Sequence, residues 1–129
     1  MGGLHHVEIW VADAALARQE WDWLLGRLGW QRGADWEEGF TWVFGDAYLT
    51  FTGSPNLASS AHDRRRPGLN HLAFHGGAPS EVDQIMAEAP SHGWTPLYAD
   101  RYPHAGGPGH HAGWLENASG FKAEIVASA

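Results

Sequence analysis

Leu4-His5-His6-Val7-Glu8-Ile9 and Leu69-Asn70-His71-Leu72-Ala73-Phe74 are two short apolar stretches that carry a histidine at the same place. Leu4 aligns with Leu69, His6 with His71, Val7 with Leu72 and Ile9 with Phe74. Each stretch leads into a helix-like segment ending in Gly-Trp, at Gly29-Trp30 and Gly93-Trp94, and one gap keeps the copies in step. The chain therefore reads as a duplicated unit. One inward histidine from each copy is a means of building a metal site on a pseudo-twofold axis.

The alternation around the first histidine assigns two faces. His5, Val7, Ile9 and Val11 lie on one, suited to packing against a helix; Leu4, His6, Glu8 and Trp10 lie on the other, suited to lining a cavity. Asp13 is placed to cap a helix that runs to about Leu28, with Ala14, Ala17, Trp21, Leu24, Leu25 and Leu28 as its buried stripe. Gly29 ends it. Strands are expected over 31–35, 40–44 and 47–52, separated by turns at Glu38-Gly39 and Gly45-Asp46. The second half repeats the order. Ser80 is the expected N-cap of a helix with Val82, Ile85, Met86 and Ala89 as its stripe, Asp83 completing an approximate capping box. Strands follow over 95–99, 112–116 and 121–127. Each half is thus βαβββ. The segment 102–111, rich in Gly and Pro, is a loop carrying His104, His110 and His111.

With 129 residues, the chain suffices for one domain with a real core. The expected division is a single domain over 1–129, with module one at 4–53, a linker at 54–67 and module two at 68–127. Eight Trp in so short a chain serve core packing and also suit an aromatic-walled pocket. A net charge of −7 argues against nucleic acid as a partner. The one basic run, Arg64-Arg65-Arg66, is expected to be a solvated linker. Cysteine is absent, which excludes disulfides and thiolate ligands and fits a cytoplasmic setting. No apolar run is long enough to span a membrane, and Met1-Gly2-Gly3 leads directly into the first strand, so neither membrane association nor a signal peptide is expected.

Near the end of the chain Glu124 shares a strand face with Lys122 and Val126. An acid in a short apolar strand is costly to bury unless it is paired or metal-bound. Packing of the halves about a pseudo-twofold would let His6, His71 and Glu124 converge as two imidazoles and a carboxylate, a facial set for one divalent metal ion with open positions. Fe, Mn, Zn, Ni and Co are not distinguished. The alternative is two core histidines bonded to backbone, with Glu124 paired to Lys122 or Arg101; the duplication favours the metal. Glu8 and the loop histidines His104, His110 and His111, with His104 first among the three, are the candidates for moving protons. Trp10, Trp42, Tyr48, Thr50 and Trp114 are the candidate substrate pocket.

Four stretches bring the chain close to a known family: Leu4-His5-His6-Val7, Leu28-Gly29-Trp30, Gly68 to Phe74, and Leu115-Glu116-Asn117-Ala118-Ser119-Gly120-Phe121-Lys122-Ala123-Glu124. Together they resemble the vicinal oxygen chelate superfamily, which holds glyoxalase I, extradiol dioxygenases, fosfomycin-resistance thiol transferases and bleomycin-binding proteins. The resemblance implies an α+β fold in which two βαβββ modules, related by a pseudo-twofold, form a curved mixed sheet around a cavity with helices outside. It also implies a homodimer and a small-molecule substrate or ligand. The family's four metal positions fall on His6, Thr50, His71 and Glu124. Thr50 cannot act as a carboxylate base, which argues against glyoxalase I activity. Trp114 stands where the dioxygenases and thiol transferases commonly have a substrate-contacting Tyr. Two functions follow: a divalent-metal-dependent enzyme of dioxygenase, lyase or thiol-transferase type that chelates vicinal substrate oxygens, or a resistance protein that binds an aromatic natural product without catalysis. The His6, His71 and Glu124 set favours the enzyme.

Overall fold

The computed structural model describes residues 1–128. The chain forms two compact units, Met1–Ala61 and a second beginning at His62, so the boundary falls inside segment 54–67. The first unit runs β1 (His6–Trp10), α1 (Ala14–Arg27), β2 (Gln31–Trp36), β3 (Gly39–Phe44), β4 (Ala47–Thr52). Its sheet has the order β1-β4-β3-β2, with β1 parallel to β4 and the other pairs antiparallel. The second unit runs β5 (Leu72–Gly77), α2 (Pro79–Glu88), β6 (Trp94–Leu97), β7 (Ala112–Asn117), β8 (Lys122–Ala127), in the order β5-β8-β7-β6 with β5 parallel to β8. The architecture is α+β, with βαβββ occurring twice as two four-stranded mixed sheets. No helix among the described residues is long and apolar enough to cross a membrane.

In each unit one sheet face is closed by the helix. Ala17, Trp21, Leu24 and Leu25 of α1 are buried, as are Ile9, Phe40, Trp42, Leu49 and Phe51 of the sheet. Trp21 meets Phe51 with ring centroids 4.9 Å apart, and Phe51 stacks on Phe40 at 4.8 Å. Fully burying a Leu or Phe stabilises by about 1.5–3 kcal/mol, so this layer decides which face of β1 turns inward. The counterpart layer in the second unit is Phe74, Val82, Ile85, Ala89, Trp94, Leu115 and Ile125. Alternation then leaves His6, Glu8 and Trp10 in one unit, and Ala73, Trp114 and Glu124 in the other, on the face away from the helix.

Local signals set the helix ends. The Asp13 carboxylate accepts from the Leu16 N–H at 3.1 Å and caps α1. Gly29 and Gly93 follow the two helical segments at φ 88° and 86°, a region in which a Cβ would be strained. Helix α2 departs from expectation, because its cap is Ala78 and Ser80 lies inside the first turn. Pro79 takes the first helical position and holds Ala78 extended, while the Glu81 carboxylate accepts from the Ala78 N–H at 3.1 Å. Strand β6 stops at Leu97, short of the expected residue 99, since Tyr98 turns left-handed at φ 57° into a 3-10 turn. The arginine run is not wholly solvated. Arg65 and Arg66 stay exposed beside Asp63, but Arg64 reaches Glu116 at 2.9 Å.

Two glycines test this packing in opposite directions. A Cβ on Gly39 would lie 2.4 Å from the Phe51 carbonyl oxygen and 2.6 Å from the Trp36 ring. A Cβ on Gly26, inside α1, would meet only the Trp42 ring at 3.7 Å. Gly39→Ala is expected to cost about 1–3 kcal/mol, and Gly26→Ala to add about 0.5–1 kcal/mol. Urea midpoints at unchanged slope measure both.

Candidate functional site

Glu124 occupies the centre of the helix-free face of the second unit. Its strand neighbours are Ala73 on β5 and Trp114 on β7. It is 5 % exposed, and both carboxylate oxygens are engaged. The His71 Nε2 lies 3.2 Å from one, and the His110 Nε2 makes a short contact with the other. The partners are therefore two imidazoles, rather than Lys122 or Arg101.

The state of His71 follows from its other nitrogen. Asn70 donates its amide N–H to the Arg64 carbonyl at 3.0 Å, which turns its Oδ1 toward His71 Nδ1 at 2.7 Å. An amide oxygen only accepts, so Nδ1 carries the hydrogen. In a neutral ring Nε2 then presents a lone pair to a carboxylate oxygen, two acceptors face to face. A hydrogen on either atom, or a cation between them, satisfies that arrangement. The set has the donor chemistry of a divalent-metal site, including an outer residue that fixes the histidine tautomer. Among the described residues no three His, Asp or Glu side chains are already gathered about one point for a cation.

The corresponding face of the first unit carries His6, Glu8 and Trp10 on β1 against Tyr48, Thr50 and Thr52 on β4. The exposed His6 ring stacks on Tyr48 at 4.9 Å with the ring planes nearly parallel, and its Nδ1 lies 2.9 Å from His5 Nδ1. Glu8 accepts from the Trp10 indole N–H at 2.7 Å and sits across from buried Thr50. Trp10 is 44 % exposed. Trp42 falls elsewhere. Its register with Leu49 places it on the helix side, where its indole N–H donates to Asp22 of α1 at 2.7 Å. Strand parity moves it off the face that the other four pocket candidates occupy in their units.

Loop 102–111 is tied down at several points. His104 Nδ1 lies 3.2 Å from the His110 carbonyl and so holds the backbone that presents His110. Asp83 of α2 takes the Tyr102 hydroxyl and, at 3.1 Å, His111 Nε2. The Tyr102 hydrogen bond holds the Asp83 carboxyl below its ordinary range, and burial followed by that same bond pushes the Tyr102 phenol up. Behind the loop Tyr98 accepts from Lys122 Nζ at 3.0 Å, and this bond, with Arg64 nearby, lowers the phenol. His71, Trp114 and Tyr98 form a file of edge-on rings at 5.0 and 6.0 Å.

Sequence reading ranked His110 behind His104 as an acid/base candidate and passed over Asn70 and Tyr98. Position held a signal for the first, since His110-His111 directly precede β7 and so enter the sheet beside the Glu124 strand. Asn70 was adjacent to the motif histidine and the right length to reach it. Tyr98 carried no signal, because its placement depends on the left-handed turn.

A family model described as the Glyoxalase/Bleomycin resistance protein/Dioxygenase superfamily matches residues 5–114. The uncharacterised protein YqjT of Bacillus subtilis is 39 % identical over 126 residues, covering 96 % of this chain and 98 % of that one. The crystal structure of a candidate glyoxalase from Bacillus halodurans is 41 % identical with a TM-score of 0.93, over 98 % of this chain and 96 % of that one. A glyoxalase/bleomycin resistance protein from Albidiferax ferrireducens T118 shares the fold at 20 % identity, TM-score 0.76 and 98 % coverage of both chains.

The loop latch predicts a titration. Asp83 has its carboxyl lowered from 3.8, so its contribution to stability is present above that value and is lost as pH falls through the lowered one. In Tyr102→Phe, carboxyl NMR should show Asp83 titrating nearer 3.8, and hydrogen exchange in 102–111 should quicken.

Proposed function

The chain belongs to the glyoxalase/bleomycin resistance protein/dioxygenase superfamily, and from that premise we propose that it is a divalent-metal-dependent enzyme acting on a small substrate through bidentate oxygen coordination. The observation that carries this reading is the His71 Nε2 facing the Glu124 carboxylate at 3.2 Å, with its Nδ1–H held by Asn70. On the family pattern His6 is the remaining protein ligand. A bound divalent cation would supply Lewis acidity and adjacent positions for two substrate oxygens.

The chain's own residues do the rest. Asn70 and the Trp114 ring hold His71 in one orientation. His110 covers the second Glu124 oxygen, and His104 positions it through the backbone. The carboxylate that Thr50 lacks is offered from the paired position by Glu8, which is exposed and suited to accept a proton from substrate. Tyr48 and Trp10 present aromatic surface, and Thr50 a hydroxyl, on the Glu8 side. The reaction is of lyase, dioxygenase or thiol-transferase class. A homodimer and a cytoplasmic setting belong to the same proposal.

A second reading rests on Trp10, whose large exposed ring is anchored by its indole N–H bond to Glu8. It makes the protein a binder of an aromatic natural product, without catalysis.

Metal analysis separates the two. Protein purified without added metal, then titrated with Mn, Fe, Co, Ni and Zn, is expected to hold one ion per chain. His71→Ala and Glu124→Gln should each lose it, and Asn70→Ala should weaken it about 10–100-fold. Absence of a stoichiometric ion, together with tight binding of an aromatic compound, would establish the binder instead.

A further inference from the structure

Lys122 is 8 % exposed, yet no carboxylate among the described residues lies within ion-pair distance of it. Its cross-strand partner Glu116 is taken by Arg64 at 2.9 Å, and Glu124, two residues along, is taken by His71 and His110. Among the described residues the ammonium has one hydrogen-bond partner, the Tyr98 oxygen at 3.0 Å. For the rest it lies over two ring faces, 4.6 Å from Trp114 and 5.0 Å from Tyr98. An ammonium has three donors, and a buried cation without a counter-ion is costly. Close by, the Trp114 indole N–H is buried with no acceptor among the described residues, a second unsatisfied donor on the same ring that the ammonium covers. Two kinds of unfilled donor, one of them charged, lie together on one sheet face. The same face carries Glu124 about 6–7 Å away, from about 3.3 Å per residue along a strand.

We propose that Lys122, with the indole N–H of Trp114 and with Tyr98 holding the ammonium, forms a subsite for an anionic oxygen group of the small molecule this chain acts on. The substrate class is then an oxygen chelator that also bears a carboxylate or phosphate, spaced a few bonds from the oxygens directed at the His71 and Glu124 end. Tyr98 is a positioning residue here, and its left-handed backbone turn places the phenol under the ammonium. The substrate class rests on the metal-enzyme reading above; the anion subsite itself does not need the cation.

The test therefore uses the full chain treated with EDTA, so that failure of metal binding cannot be mistaken for failure of the subsite. The probes are benzoate, phenyl phosphate and uncharged benzamide, followed by calorimetric titration and thermal melting. At least one anion is expected to bind about tenfold or more tightly than benzamide and to raise the melting temperature. Preference between the two anions identifies the carboxylate or the phosphate as the natural group. Lys122→Met should erase the anion preference, leave benzamide affinity unchanged and melt no lower than the parent. Trp114→Phe keeps a ring and removes the N–H; it should weaken the anion about fivefold more than it weakens benzamide, and it decides the matter should Lys122→Met not fold. Equal binding of charged and neutral probes, no binding of either anion, or a preference unchanged in both variants overturns the proposal.

Discussion

A carboxylate sits in a strand where hydrocarbon would be easier to place. Ala123 and Ile125 on either side of Glu124 are fully buried, and Glu124 itself is 5 % exposed. Ionised and unpaired, it would cost several kcal/mol or more, so the second unit is arranged around satisfying it. His71 comes from the mouth of the neighbouring parallel strand, with its tautomer set by Asn70, and Asn70 is set in turn by the Arg64 carbonyl. His110 arrives from the loop, which His104, Tyr102 and His111 tie back to itself and to α2. The surface segment is thereby ordered by its own backbone turns and by side chains that reach two acids, Glu124 and Asp83.

Duplication explains why the acid is there and why the two units are not alike. Glu8 aligns with Ala73, and their parallel-strand partners are Thr50 and Glu124. Thr50 and Glu124 are thus the same place in the repeated plan. The first unit keeps the carboxylate on the edge strand, at Glu8, and a small hydroxyl on the inner one. The second keeps a methyl on the edge strand and the carboxylate inside. Two residues earlier Tyr48 stacks on His6, whereas Lys122 supplies a charge. The same plan thus carries an exposed, aromatic face in the first unit and a buried, ionic one in the second.

Much of the scaffold was legible because it depends on periodicity. The alternation in Leu4 to Val11 and the helical spacing from Ala14 to Leu28 report directly which atoms leave water, and burial dominates there. Strand parity also located Glu124 on the helix-free face. The errors lie where burial is indifferent. Ser80 matches a cap by residue type, but Pro79 determines the helix start through its fixed φ. Trp42 suits a pocket wall by type, but its parity puts it against α1. His110 was not separable from its loop neighbours, because which histidine reaches Glu124 depends on turns within a segment that has no period. Tyr98 was hidden by a backbone conformation that sequence gives no reason to expect of a tyrosine.

The same face places a buried acid and a buried ammonium two residues apart and does not let them neutralise each other. Stability alone would favour pairing them, or replacing both with hydrocarbon, since exchanging buried charges for well-packed apolar groups is often neutral or better. Instead each is held by other groups. Glu124 faces imidazoles, and Lys122 faces a phenol and two ring faces. Side chains kept apart in this way leave one end of the face ready for positive charge and the other for negative, a polarity that scaffold stability does not require. Such separation suits a ligand that presents chelating oxygens to a cation at one end and an anion at the other, and its cost to the free protein is of the kind that functional sites tolerate.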